Sequence, residues 1–157
     1  MHTLYLILKT FHILSFVIII GITLANVIAY HQFWKIYEQD HAKGIATFAI
    51  IRGFFKAGMI GMIVVLLAGI SMLAISEWSF VQLLWFKIKL GLIGLIFVNG
   101  LTLGRTSAMK VQALVEGGNT TNDPAELSSI QSRTRLFLIL QLLIFVTIII
   151  LSVFRFT

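Results

Sequence analysis

The sequence predicts an all-α fold, an integral membrane four-helix bundle in which residues 1–157 form a single transmembrane domain. Three observations carry that prediction. Hydrophobic residues make up 59% of the chain and charged residues 11%, with one proline and a mean hydropathy of +1.00. A soluble domain has no interior large enough to hide such a composition, so most of it must face lipid. Four apolar runs, roughly 4–30, 56–76, 83–105 and 135–155, are each long enough to cross about 30 Å of hydrocarbon at about 1.5 Å per helical residue. Finally, the two longer connections carry Lys35, Lys43, Arg52, Lys56, Arg105, Lys110, Arg133 and Arg135, eight cations against four on the other side. The positive-inside rule then places both longer connections in the cytoplasm and both termini outside, in a bacterial-type inner (plasma) membrane.

The first run begins at Leu4 and is too long for a signal-peptide core, and it has no small-residue cleavage site, so it is expected to be a retained span. Residues 31–55 are expected to form the first cytoplasmic connection. Between the second and third runs, Ser76-Glu77-Trp78-Ser79-Phe80 is short enough to force an antiparallel pair, and Trp78 suits a headgroup-level anchor. The third helix should continue beyond the membrane to Gly117-Gly118, a strong stop signal. The fourth should begin early, with Asp123 as N-cap, Pro124 at the first helical position and Glu126 completing a capping box. Helices 3 and 4 are therefore expected to extend into the cytoplasm. Ala57-xxx-Gly61 and Gly100-xxx-Gly104 are spaced for close helix packing. Asn119-Thr120-Thr121 matches a glycosylation acceptor by accident on a cytoplasmic loop.

The same composition excludes several classes of function. There is no cysteine, hence no disulfide, thiolate metal site or dithiol redox chemistry, and a redox role requires a cofactor. The net charge of +6 is spread over membrane flanks rather than gathered in a patch, so nucleic acid is not an expected partner. No Asp or Glu lies within a span, which argues against a proton pump or a cation-coupled exporter. No inverted pair of broken helices of the transporter kind is present.

What the spans do contain is positive charge. Counted from the outer ends of the runs, Lys9 lies about 7 Å deep, His12 about 12 Å, Lys87 about 6 Å and Lys89 about 9 Å. A cation at such depth costs about 2.5–3.5 kcal/mol on insertion scales unless something answers it. With no carboxylate in the chain at that level, the expected answer is an anionic ligand, and the imidazole of His12 is available to ligate a metal. Lys9 and His12, three apart, should share a face, whereas Lys87 and Lys89, two apart, should point nearly opposite ways. Lys89, the deeper, is expected to face inward and Lys87 to snorkel outward. The competing reading of His12 is a neutral histidine bonded to a carbonyl one turn away, and that of Lys9 a lysine snorkelling to the interface. His31 is about 28 Å from His12 along a helix, so the two cannot share one iron. A second axial ligand must come from another side chain, from water or from another copy of the chain in a homo-oligomer, and Met72 is the nearest thioether in depth. At the other face, Arg52 and Lys56 are one turn apart among Phe48, Phe54 and Phe55. They form either a lipid-touching basic flank or a substrate-binding carboxylate clamp.

The stretch Tyr5-xxx-Lys9-xx-His12-Ile13, with Tyr30-His31 closing the first span, resembles the HemJ-type protoporphyrinogen oxidases and their copper-resistance-D-like relatives, and Trp85-xxx-Lys89-Leu90 resembles that family's second signature. The resemblance covers length, span count and these motifs over about the first hundred residues. It implies b-type haem with His12 as axial ligand, Lys89 as the catalytic lysine and Arg52 near a basic position after the first loop. The implied reaction removes hydrogen from protoporphyrinogen, a tetrapyrrole with two propionates, and passes electrons to a quinone or other membrane acceptor. As a divergent relative, the chain has Asn99 roughly where a histidine is expected and no Asn-Glu-x-Pro-like sequence in its last span. The expectation is thus a haem b-binding membrane oxidoreductase with Lys9, His12 and Lys89 at the cofactor. The competing class is a non-enzymatic four-helix membrane protein, either a permease for small molecules or metals or a partner subunit.

Overall fold

A computed structural model describes residues 2–116 and 124–154. The expected Gly117-Gly118 stop, the Asp123 cap and the Asn119 acceptor lie outside the described residues. Four long helices account for nearly all of the rest: α1 (His2–Gln39), α2 (His41–Ile75), α3 (Leu84–Glu116) and α4 (Pro124–Phe154). Each is long and apolar enough to cross a membrane. No strand occurs among the described residues.

The largest departure from expectation is the first connection. Instead of a loop over residues 31–55, α1 and α2 run on until Asp40 alone separates them, forming a helical hairpin. Phe33, Trp34 and Tyr37 on α1 and Phe48 and Ile51 on α2 recur at helical spacing, and they bury one another together with Val111, Leu114 and Ile130. Phe33 stacks on Tyr37 at 5.4 Å and meets Trp34 at 5.0 Å, pairs worth about 0.5–1.5 kcal/mol each beyond their buried area. The intervening charges, Lys35 and Lys43, stay on exposed faces. Asp40 makes the turn: its backbone is extended (φ −150°, ψ 102°) and its carboxylate accepts from the Lys43 backbone N–H at 3.1 Å. Gly44 permits the close crossing, because a Cβ there would sit 2.7 Å from the Tyr37 ring. So α1 and α2, as well as α3 and α4, outrun the expected spans.

At the opposite end, α2 and α3 are joined by a tight turn with Glu77 and Trp78 in the left-handed region and Trp78 exposed. Inside α3, Gly100–Gly104 winds as a π-helical turn. Of the two small-residue pairs, Gly61 lies against Ile19 and Gly104 against the Phe137 ring, whereas Gly100 meets nothing. Contacts join α1 with α2 along the hairpin, α3 with α4, and α1 with α4. Midway along them a second cluster forms from Ile19, Val65, Ile96, Ile144, Phe145 and Ile148.

The outer surface is far more apolar than that of a water-soluble protein. Large apolar side chains stand outward on every helix, among them Ile28, Ile60, Leu101 and Val153, as expected where lipid is the solvent. Beside the two apolar clusters, the buried positions include Ser15, Thr23, Asn26, Asn99, Ser107, Thr134 and Gln141. Thr23 and Thr134 donate back to carbonyls of their own helices, at 2.8 and 2.9 Å, whereas Asn99 and Gln141 meet across helices, as polar groups facing away from lipid can. Asn99 shows how: its amide donates to Gln141 Oε1 at 3.0 Å and to the Phe137 carbonyl at 3.2 Å, tying α3 to α4.

Candidate functional site

The residues singled out by sequence separate into two places. The first is built on His12, the one of the four histidines that is not exposed. It falls on the stripe of α1 that includes Ser15, Ile19, Thr23 and Asn26, and its Nδ1 lies 2.9 Å from the Val65 carbonyl oxygen on α2. A carbonyl only accepts, so Nδ1 carries the proton and donates. Nε2 is then the nitrogen with a lone pair, the arrangement in which one ring nitrogen is anchored and the other can ligate a metal. The expected alternative had the carbonyl one turn away on the same helix; the partner is a different helix. The approach is possible because Gly69, one turn beyond Val65, has no side chain: a Cβ there would be 3.2 Å from His12 Cε1 and 3.4 Å from Nδ1. Sequence reasoning missed Gly69. Its only signal was a glycine in the interior of an apolar helix, where it costs about 0.5–1 kcal/mol relative to alanine.

Lys89 is half-buried and close enough to His12 to interact with it electrostatically, and its Nζ donates to Ser152 Oγ at 3.3 Å. Ser152 in turn donates to the Ile148 carbonyl at 2.7 Å. The expectation that the chain offers these groups no partner of its own is therefore corrected: a hydroxyl on α4 and a carbonyl on α2 serve them. Lys87 is exposed, consistent with the opposite directions of the two lysines. Lys9 is also exposed and does not join the buried stripe that His12 occupies. Met72 is half-buried on α2, three residues past Gly69. No group of three or more His, Asp or Glu side chains able to hold a metal gathers among the described residues.

The second place lies at the hairpin end. Arg52 and Lys56 line a cavity of about 190 Å³ to which all four helices contribute. Arg52 forms an ion pair with Glu116 at 3.1 Å, both half-exposed, and Gln112 donates to the same carboxylate at 3.0 Å. Deeper, Asn26 and Ser107 line the cavity, and Asn26 Oδ1 and Ser107 Oγ are buried without a hydrogen-bond partner. An unsatisfied buried polar atom costs about 1–3 kcal/mol. Neither residue was anticipated from sequence, since an isolated Asn or Ser in an apolar run carries no motif. Along α1, Asn26 is about 21 Å from His12, and along α2 Arg52 is about 20 Å from Val65. The expected substrate residues Arg52 and Lys56 are thus not brought to His12 and Lys89. Comparison with protein-family models, with curated proteins and with solved structures finds no match to this chain.

Proposed function

We propose that this chain is a haem b-binding membrane oxidoreductase, protoporphyrinogen oxidase-like in type, folded as a four-helix bundle in a bacterial-type plasma membrane. In this reading both termini are outside, and the α1–α2 hairpin and the α3–α4 connection project into the cytoplasm. The observation that carries it is His12: an imidazole within an apolar span whose Nδ1 lies 2.9 Å from the Val65 carbonyl oxygen, an arrangement that in the neutral ring leaves the lone pair on Nε2. Those features suit one axial position of a haem, and Lys89 beside it suits a propionate. When bound, haem would supply one-electron chemistry.

The remaining work falls to the chain. Val65 and Gly69 hold the imidazole in one tautomer and orientation. Lys89, half-buried near His12, offers an ammonium group to a carboxylate of cofactor or substrate. Lys9, exposed on the same stretch of α1, meets the second carboxylate nearer the surface. Met72, water or another copy in a homo-oligomer would complete the iron's ligand set, and a quinone or another membrane acceptor would take up the electrons.

A second reading, a non-enzymatic membrane protein such as a permease or partner subunit, is favoured by one specific observation. His12 and Lys89 both find hydrogen-bond partners within the chain, so the pair also serves as an interhelical lock. Absorption spectroscopy separates the two. Protein purified in detergent after expression with ample haem should show a Soret band and reducible α and β bands. His12→Ala should abolish or strongly shift these bands, while His31→Ala and His41→Ala, at exposed sites, should leave them unchanged. Colourless wild-type protein that takes up no haem refutes the proposal and leaves the lock.

A further inference from the structure

The cavity at the hairpin end has a chemistry of its own. Its walls are largely apolar, with Phe48, Ile51, Phe137 and Leu138 among them, and Arg52, Lys56, Asn26 and Ser107 bring polar groups to it. Arg52 and Lys56 line it as cations, and Glu116, bonded to Arg52, answers one of those charges and leaves a single net positive charge. Asn26 and Ser107 are at least nine-tenths buried in the wall, and each has an oxygen with no partner. Native proteins seldom leave two such atoms unanswered beside one cavity. The π-helical turn Gly100–Gly104 ends at the wall, where Gly104 lines the cavity beside the Phe137 ring. Such turns recur at functional sites because they break the regular register of a helix.

Size narrows the occupant further. Engineered apolar cavities of about 150 Å³ accept benzene, so about 190 Å³ admits a single ring with small substituents and no tetrapyrrole. We propose that this cavity binds a small amphipathic monoanion: one ring, a carboxylate held by Lys56 and Arg52, and a hydroxyl that donates to Asn26 Oδ1 and accepts from the Ser107 hydroxyl once these two buried side chains turn toward the cavity. The ring replaces nothing that hydrogen-bonds, and the hydroxyl satisfies the two orphaned oxygens. This site is independent of the haem reading, from which it is separated by about 20 Å of helix.

Calorimetric titration of the full chain in lipid nanodiscs tests it with 4-hydroxybenzoate, benzoate and 4-hydroxybenzyl alcohol as probes. Wild-type protein should bind 4-hydroxybenzoate most tightly. Benzoate, which lacks the hydroxyl, and the alcohol, which lacks the charge, should each bind about tenfold more weakly. Ser107→Ala and Asn26→Leu should each shrink the preference for 4-hydroxybenzoate over benzoate while keeping that over the alcohol. Lys56→Met should do the converse, and His12→Ala should change neither. If Asn26→Leu fails to fold, Ser107→Ala, a small change within the wall, decides the matter. No binding of any probe by wild-type protein at millimolar concentration overturns the proposal, since the cavity then holds only water or lipid. A Ser107→Ala variant that weakens all three probes equally, or none, overturns it as well.

Discussion

Gly69 offers the sharpest test of the His12 seat. A Cβ at Gly69 would stand 3.2 Å from His12 Cε1 and 3.4 Å from Nδ1, so the ring must yield by a few tenths of an ångström and the 2.9 Å bond to the Val65 carbonyl must lengthen. Two effects then compete. Replacing a mid-helix glycine by alanine stabilises the helix by about 0.5–1 kcal/mol, while weakening a hydrogen bond in the interior removes up to about 0.5–1.5 kcal/mol. For Gly69→Ala the two nearly cancel. Gly94→Ala provides the reference: nothing lies within 4 Å of a Cβ there, so it should show the helix gain undiminished. Equilibrium unfolding in mixed micelles, followed by circular dichroism, should therefore separate the two variants by about 1 kcal/mol. In a His12→Ala background the penalty at Gly69 disappears, and the double-mutant cycle should return a coupling of about 1 kcal/mol. Equal effects at Gly69 and Gly94, or a coupling indistinguishable from zero, would refute the claim that Gly69 seats the imidazole.

Other expectations are as direct. An alkaline phosphatase reporter fused after Thr157 should be active, as an external enzyme is, and one inserted at Gly117-Gly118 should be inactive; the opposite pattern would invert the proposed orientation. Lys89→Met should lower haem retention while Lys87→Met, at an exposed site, leaves it unchanged; equal losses would show that burial of Lys89 has no bearing on the cofactor. Asp40→Ala should destabilise the hairpin, because the α2 N-terminus loses its side-chain cap. The backbone N–H and the ammonium of Lys43 hold the Asp40 carboxyl below the ordinary aspartate value. Its stabilisation is therefore complete above that value and is lost as pH falls through the lower folded-state one. The difference between wild type and Asp40→Ala, measured by unfolding across the acidic range, should close there; a constant difference would argue against the cap.

The two ends of the molecule show how unevenly sequence speaks. The four long apolar helices and their order follow from composition and run length alone, because an apolar run of about 20 residues satisfies its own backbone hydrogen bonds in lipid as a helix. The short turn at Ser76–Phe80 was equally legible. The α1–α2 hairpin was not, although its signals were present: Phe33, Trp34 and Tyr37 at helical spacing, and Asp40 three residues before Lys43. Charges interleaved with aromatics read as a loop until the aromatics are seen to bury one another. His12 and Lys89 stood out because imidazole and ammonium are expensive in hydrocarbon, which is a one-dimensional fact.

What tertiary structure alone decided is which groups answer one another. That His12 bonds to a carbonyl 53 residues away, that Lys89 finds Ser152, and that Arg52 faces Glu116 are long-range pairings on which local spacing is silent. The separation of Arg52 from His12, by contrast, was legible, since run lengths alone put them at opposite faces. Gly69, Asn26 and Ser107 belong with the long-range pairings. A missing side chain or an unpartnered oxygen has meaning only against the neighbour it admits or lacks, and neighbours are set by packing.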